Sequence, residues 1–215
     1  MTRFEYLKNP VDIYRRSFAE IRAEADLGRV PENLEPVAVR LIHACGMTDI
    51  VNDLNWGGDV TKAGRRALAA GATVLVDAEM VAHGIIRSRL SAGNEVICTL
   101  GHIKEANGTT RSAAAVDLWR ERLAGAVVAI GNAPTALFRL LEIIADGGSR
   151  PAVILGFPVG FVGAAESKEA LIAAAGEIPY LTLRGRRGGS ALAAAAVNAL
   201  AADAAEENNP GDNII

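Results

Sequence analysis

The sequence predicts an α/β fold: a single domain with a mainly parallel sheet and helices on both faces. Short, continuously apolar runs alternate with helical segments of about ten to fifteen residues, the pattern of parallel βαβ units whose sheet is covered on both sides. Half of the 215 residues are hydrophobic but only 5% are aromatic. The core must therefore be packed with Ala, Val, Leu and Ile, which favours helices lying close on a sheet. No linker and no repeat beyond the βα alternation divides the chain, so one domain is predicted over residues 1–205. The polar, turn-rich Glu206-Glu-Asn-Asn-Pro-Gly-Asp-Asn213 predicts a frayed tail over 206–215.

The elements follow in order. Pro10 opens a segment, Val11 to Leu27, in which Ile13, Tyr14, Phe18, Ile21 and Ala25 recur at helical spacing, with Arg15, Arg16 and Ser17 beside that face. A second helix is predicted from Pro36, suited to a first helical turn, to Cys45, with Gly46 as its stop. On it Ala38, Leu41, Ile42 and Cys45 mark an apolar face, while Arg40 and His43 stand three apart on another. Thr48 to Trp56 reads as a strand with a Gly57-Gly58 turn, and Val60 to Ala70 as a helix. Thr73–Asp77, Glu95–Leu100, Ala126–Ile130, Ala152–Leu155 and Tyr180–Leu183 read as buried strands. The helices between and after them are Ala78 to His83, Thr110 to Ala124, Pro134 to Ala145, Ala165 to Ala175 and Gly189 to Ala205, with Thr110 as an N-cap.

The formal charge of −3 argues against a surface that tracks nucleic-acid phosphates. Four of the 22 basic residues are lysine and 18 are arginine. The planar guanidinium meets a carboxylate two hydrogen bonds at a time, so this bias suits a ligand bearing many carboxylates, although biased codon usage produces it too. Cys45 and Cys98 form no disulfide framework, and with His83 and His102 isolated no metal site is predicted. The N-terminus has no apolar targeting segment and no apolar run reaches 18 residues, which predicts a soluble cytoplasmic protein without a membrane partner.

In open parallel sheets, ligands sit at the carboxyl ends of strands. Three loops fall there: Gly131-Asn-Ala-Pro-Thr135, Gly156-Phe-Pro-Val-Gly-Phe-Val-Gly163 and Gly185-Arg-Arg-Gly-Gly-Ser190. Each could hold an anion at a helix N-terminus, but glycine-rich turns are ordinary in this fold class and a purely conformational role is favoured for each taken alone. Asn132 and Thr135 in the first loop, and Arg111 after Thr109-Thr110, are candidates for the same cleft. The phosphate loop, the dinucleotide fingerprint and the Gly-x-Ser-x-Gly elbow are all absent.

The runs Val37-Ala-Val-Arg-Leu-Ile-His-Ala-Cys-Gly46, Ala92-Gly-Asn-Glu-Val-Ile-Cys98, Thr110-Arg-Ser-Ala-Ala-Ala115, Val128-Ala-Ile-Gly-Asn-Ala-Pro-Thr-Ala-Leu-Phe138, Gly156-Phe-Pro-Val-Gly-Phe-Val-Gly-Ala-Ala-Glu-Ser-Lys168 and Arg184-Gly-Arg-Arg-Gly-Gly-Ser190 resemble the precorrin-8X methylmutase family, from about Tyr6 to Leu200. The resemblance implies an isomerase of cobalamin biosynthesis. It would move a methyl group from C-11 to C-12 of precorrin-8X in a [1,5]-sigmatropic shift, giving hydrogenobyrinate without a cofactor; related enzymes act on the cobalt-containing ring. It implies His43 as proton donor and acceptor, Ser17 and Arg40 as substrate contacts, and a homodimer with pockets near the subunit interface. Arg111, Asn132 and Thr135 join the expected substrate contacts on loop position and family similarity together. Two rival readings are a non-catalytic corrin carrier and a nucleotide-dependent α/β enzyme, the second disfavoured by the missing phosphate loop.

Overall fold

The structure, a computed structural model, describes residues 4–202. The predicted 206–215 tail lies outside the described residues. Among the described residues six strands form one sheet: β1 (Leu54–Gly57), β2 (Val74–Val76), β3 (Val96–Cys98), β4 (Val127–Ile130), β5 (Val153–Gly156) and β6 (Tyr180–Leu183). Their spatial order is β1-β6-β5-β4-β2-β3. β2 to β6 pair in parallel, whereas β1 runs antiparallel to β6, with Leu54 opposite Leu183 and Gly57 opposite Tyr180.

The α-helices of the described residues are α1 (Pro10–Glu24), α2 (Glu35–Cys45), α3 (Val60–Ala69), α4 (Glu79–Gly84), α5 (Arg111–Asp117), α6 (Pro134–Ala145), α7 (Ala164–Ala174) and α8 (Ser190–Ala201). The side-chain alternation of a strand divides the core. Val74, Val76, Val127, Ala129, Val153 and Leu155 pack with α2, α3, α4 and α8 on one face. Leu75, Val128, Ile130 and Ile154 pack with α5, α6 and α7 on the other. Continuous apolar strands with no polar alternation thus reflect a sheet covered on both sides.

Three sequence expectations are corrected. Thr48–Asp53 is 3-10 helix, and only Leu54–Gly57 is strand; Ile50 and Val51 are buried without strand pairing. The first helix stops at Glu24, where Ala25 turns to an extended conformation and its N–H bonds Ile21 O. The fifth helix ends at Asp117 instead of reaching Ala124, and Arg120–Arg122 form a separate 3-10 turn. There the chain bends so that Trp119 is buried and its indole N–H donates to Thr99 Oγ1 at 2.9 Å.

The sheet order reverses between β2 and β4, the position where such folds open a ligand crevice. Here that crevice is closed from within. Asp77, directly after β2 and only 2% exposed, accepts hydrogen bonds from the backbone N–H groups of Gly131 (2.8 Å), Asn132 (3.0 Å) and Ala133 (2.7 Å). Burial pushes the Asp77 carboxyl pKa up, while the three N–H donors oppose that shift. The other two glycine-rich loops are laced to the same edge. Phe157 N–H donates to Ile130 O (2.7 Å), Gly189 N–H to Phe157 O (2.8 Å) and Gly160 N–H to Arg186 O (3.2 Å). Replacing Asp77 with Ala would leave three donors without their acceptor, so a loss of about 3 kcal/mol or more in urea denaturation is expected. A change below about 1 kcal/mol would show that the clamp does not hold this edge together.

Candidate active site

The site is assembled from α1 and α2. In α2, Pro36 occupies the first turn, and Gly46, with φ of 69°, takes the left-handed conformation that ends the helix one turn beyond Ile42. His43 therefore lies in the last turn, where the chain is about to leave. In α1, Tyr14, Ser17, Phe18 and Ile21 fall on one face at helical spacing and meet α2. Arg15 and Arg16, beside that face, turn outward to Asp12 and Glu20.

Ser17 Oγ lies 2.9 Å from His43 Nδ1. The imidazole packs at a tilt against Tyr14 and Phe18, with ring centroids 5.5 and 5.3 Å away. Arg40 is 7% exposed. Its guanidinium lies over the same two rings, 5.5 Å from the Tyr14 centroid and 5.7 Å from that of Phe18, a cation–π arrangement that makes burial of the charge tolerable. Partial desolvation, and then the positive charge of Arg40, hold the His43 pKa below its ordinary value. Burial raises the Tyr14 pKa, against the opposing pull of Arg40 and Arg89.

His43, Arg40 and Tyr14 border a cavity of about 410 Å³. α8 lines it through Ala191, Ala194, Ala195 and Asn198, and Ala44, Gly84, Ile86 and Arg89 complete the lining. No strand residue lines it, so the cavity lies against the helices and not over the carboxyl edge of the sheet. Small side chains make the space. A Cβ on Gly84 would come within 2.7 Å of Ala194 Cβ, so only glycine lets this segment approach α8 so closely. Asn198 then pins it in place: its Nδ2 donates to Gly84 O (2.9 Å) and its Oδ1 accepts from Ile86 N–H (2.8 Å).

The structure thus brings Ser17, Arg40 and His43 together. Ser17 and His43 also border a smaller cavity of about 170 Å³, and Ser17 does not line the larger one. Arg111, Asn132 and Thr135 lie elsewhere, at the carboxyl edge. Arg111 donates to Ile103 O and Leu100 O, and Thr135 Oγ1 shares a 2.7 Å hydrogen bond with Thr110 Oγ1. Asn132 is exposed, with its N–H on Asp77. Sequence reasoning missed Tyr14, Arg89 and Asn198 as cavity residues. Asn198 alone left a trace, as the single polar residue inside the alanine-rich α8.

Comparison with known proteins places this arrangement in a family. The family model described as precorrin-8X methylmutase matches residues 12–203. The chain is 59% identical over 204 residues to the precorrin-8X methylmutase of Pseudomonas aeruginosa, covering 93% of this chain and 98% of that one. It is 34% identical over 197 residues to the cobalt-precorrin-8 methylmutase of Priestia megaterium, covering 89% and 87%. A solved structure of precorrin-8x methyl mutase from Thermus thermophilus superposes with a TM-score of 0.79 at 41% identity, covering 88% of this chain and 95% of that one.

Two measurements check the geometry of the site. With only three histidines in the chain, the His43 ring can be titrated by NMR. Arg40→Met removes a positive neighbour and should raise the His43 pKa; an unchanged or lower value would contradict the electrostatic coupling. Ala191, exposed at the cavity wall, should accept Phe with little effect on thermal stability while filling the slot. A Phe variant that binds corrinoid as well as the unsubstituted protein would show that the slot is not used.

The apolar cavity beside the His43 imidazole and a buried guanidinium therefore belongs, with the sequence that folds around it, to a member of the precorrin-8X methylmutase family.

Proposed function

We propose that this chain catalyses migration of a methyl group from C-11 to C-12 of precorrin-8X, giving hydrogenobyrinate, with His43 as the proton donor and acceptor. One observation carries the reading: a single titratable imidazole stands at the rim of an apolar cavity, next to the buried cation of Arg40. A corrin macrocycle is broad and partly apolar with a rim of carboxylates. It calls for an apolar slot joined to guanidinium groups.

The proton chemistry follows from the hydrogen bond to Ser17. When Ser17 donates to Nδ1, the neutral ring carries its proton on Nε2, the nitrogen left to meet the ligand. Desolvation and Arg40 favour this neutral ring. Ligand carboxylates neutralise Arg40 and favour imidazolium, so binding itself readies the ring to give a proton. Protonation of a ring nitrogen or conjugated carbon polarises the macrocycle and eases the shift; the proton then returns to His43. The chain supplies acid–base assistance and a fixed geometry, and no covalent intermediate is required.

The cavity of about 410 Å³ lies low in the range of about 300–1,000 Å³ for small-molecule sites. A macrocycle with its rim extends beyond it. A homodimer with pockets near the subunit interface, as the resemblance implies, would supply further surface. Arg111, Asn132 and Thr135 enter the reading on those terms, as contacts that a second copy brings to the ligand. Among the described residues no helix is long and apolar enough to cross a membrane, and the proposed location is the cytoplasm.

A change in the visible spectrum when precorrin-8X is mixed with catalytic amounts of protein tests the activity. A change only at stoichiometric protein would point to a carrier. His43→Ala should lower turnover by about 10²- to 10⁴-fold while hydrogenobyrinate still binds. Near-normal turnover would refute the proton-transfer role. Arg40→Ala should raise the dissociation constant by about tenfold or more. An unchanged constant would remove Arg40 from the binding site.

A further inference from the structure

A second cavity, of about 180 Å³, shares Arg89 with the first. Its walls differ in character: Arg65 of α3 and Arg89 supply two guanidinium groups, and Ser91 and Asn94 add polar side chains. Arg89 is half-buried and stands at the junction of the two spaces. Together with Arg40 it bears on the Tyr14 hydroxyl. Three guanidiniums thus follow one another from the His43 cavity into its neighbour, with Arg40 in the first, Arg89 in both and Arg65 in the second.

Asn94 provides an independent observation. It is 9% exposed, and its Nδ2 donates to Leu68 O at 2.9 Å and Ala72 O at 2.8 Å. Those two bonds fix the amide plane. Oδ1 is then a buried acceptor with no hydrogen-bond partner among the described residues. Buried acceptors are nearly always paired, so this one calls for a donor from outside the protein. A water bound to an anion, or the hydroxyl of a carboxylic acid, supplies it.

We propose that this second cavity is a subsite in which Arg65 and Arg89 take a carboxylate carried on the rim of the ligand whose ring fills the first cavity, with Asn94 Oδ1 receiving a bridging water. The proposal rests on the function proposed above, because it assumes a polycarboxylate macrocycle in the first cavity. Guanidinium groups suit this role because each offers a planar pair of N–H donors that matches a carboxylate, which an ammonium group does not. The subsite sets the orientation of the ring, since a carboxylate held by Arg65 and Arg89 fixes which edge faces His43.

The test is a visible-absorption titration of the full chain with two ligands: hydrogenobyrinate, and a derivative whose rim carboxylates have been converted to carboxamides. Arg65→Met should raise the dissociation constant for hydrogenobyrinate about tenfold or more and leave that for the carboxamide within about twofold. Arg65→Lys should fall between wild type and Met for hydrogenobyrinate, because it keeps the charge and loses the fork. Arg89→Met should raise the constant for hydrogenobyrinate more than Arg65→Met does, because it touches both cavities. Equal losses for both ligands, or no loss for either, would overturn the subsite while leaving the proposed function standing. Failure of the wild-type chain to bind hydrogenobyrinate at all would instead overturn the function, and the subsite with it.

Discussion

Close packing around α8 is the constraint on which the rest of this structure depends. Nearly every residue of the helix is buried, and Leu192, Val197 and Leu200 are its only side chains larger than Asn. An alanine surface lets neighbouring helices approach to short distances, where dispersion and burial are gained from backbone and methyl contacts instead of large side chains. α3 meets it through Gly64, where a Cβ would lie 2.5 Å from Leu200 Cδ1. The end of α4 meets it through Gly84. The same small side chains leave room beside α8 that α1 and α2 do not fill. The cavity is thus a by-product of the packing rule that holds the helical layer together, with Asn198 satisfying the backbone groups that the approach buries.

The cavity acquires chemistry because α2 ends where it does. Gly46 stops the helix just after His43, and Pro36 sets where it begins, so Arg40 and His43 emerge three residues apart at the rim. The aromatic pair Tyr14 and Phe18, ring centroids 4.2 Å apart, then serves two purposes. It shelters the Arg40 charge, and it removes water from part of the imidazole, which with Arg40 lowers the His43 pKa. Because the folded-state pKa of His43 is depressed, the stability that this ring contributes is present above its unfolded pKa of about 6.5 and is lost as pH falls through the folded value. A polycarboxylate bound there, as proposed, would oppose that loss, and ligand affinity and proton affinity at this position would rise together.

Much of the fold was legible because strand and helix signals agreed. Val127–Ile130 and Val153–Gly156 are apolar throughout because both their faces are covered, and Pro134 and Thr110 start helices where their chemistry says they should. The antiparallel β1 was not legible. Its pairing with β6 is a contact between residues far apart in the chain, and the preceding 3-10 turn buries Ile50 and Val51 as a strand would. Within the candidate site, Arg40 and His43 stand out in the sequence as ionisable groups on a largely apolar helix, and the roles expected of them come from the family resemblance. Tyr14 and Arg89 did not, since an aromatic at helical spacing and an arginine in a loop have many ordinary explanations. The glycine-rich loops illustrate why such a pattern has two readings in a sequence. Their N–H donors and glycines look like an anion site in sequence, yet in the fold Asp77 occupies the donors of the first, and Arg187 of the third is paired with Asp49 and Asp53.

Where a corrin ring lies on this molecule is therefore the central question. A crystal structure of this chain with hydrogenobyrinate bound addresses it most directly. The ring should lie against Ala191 and Ala194 of α8, with an edge within hydrogen-bond reach of His43 Nε2. A ring found instead over the carboxyl edge of the sheet of the same copy, beside Asn132 and Thr135 and away from His43, would contradict the proposed mechanism.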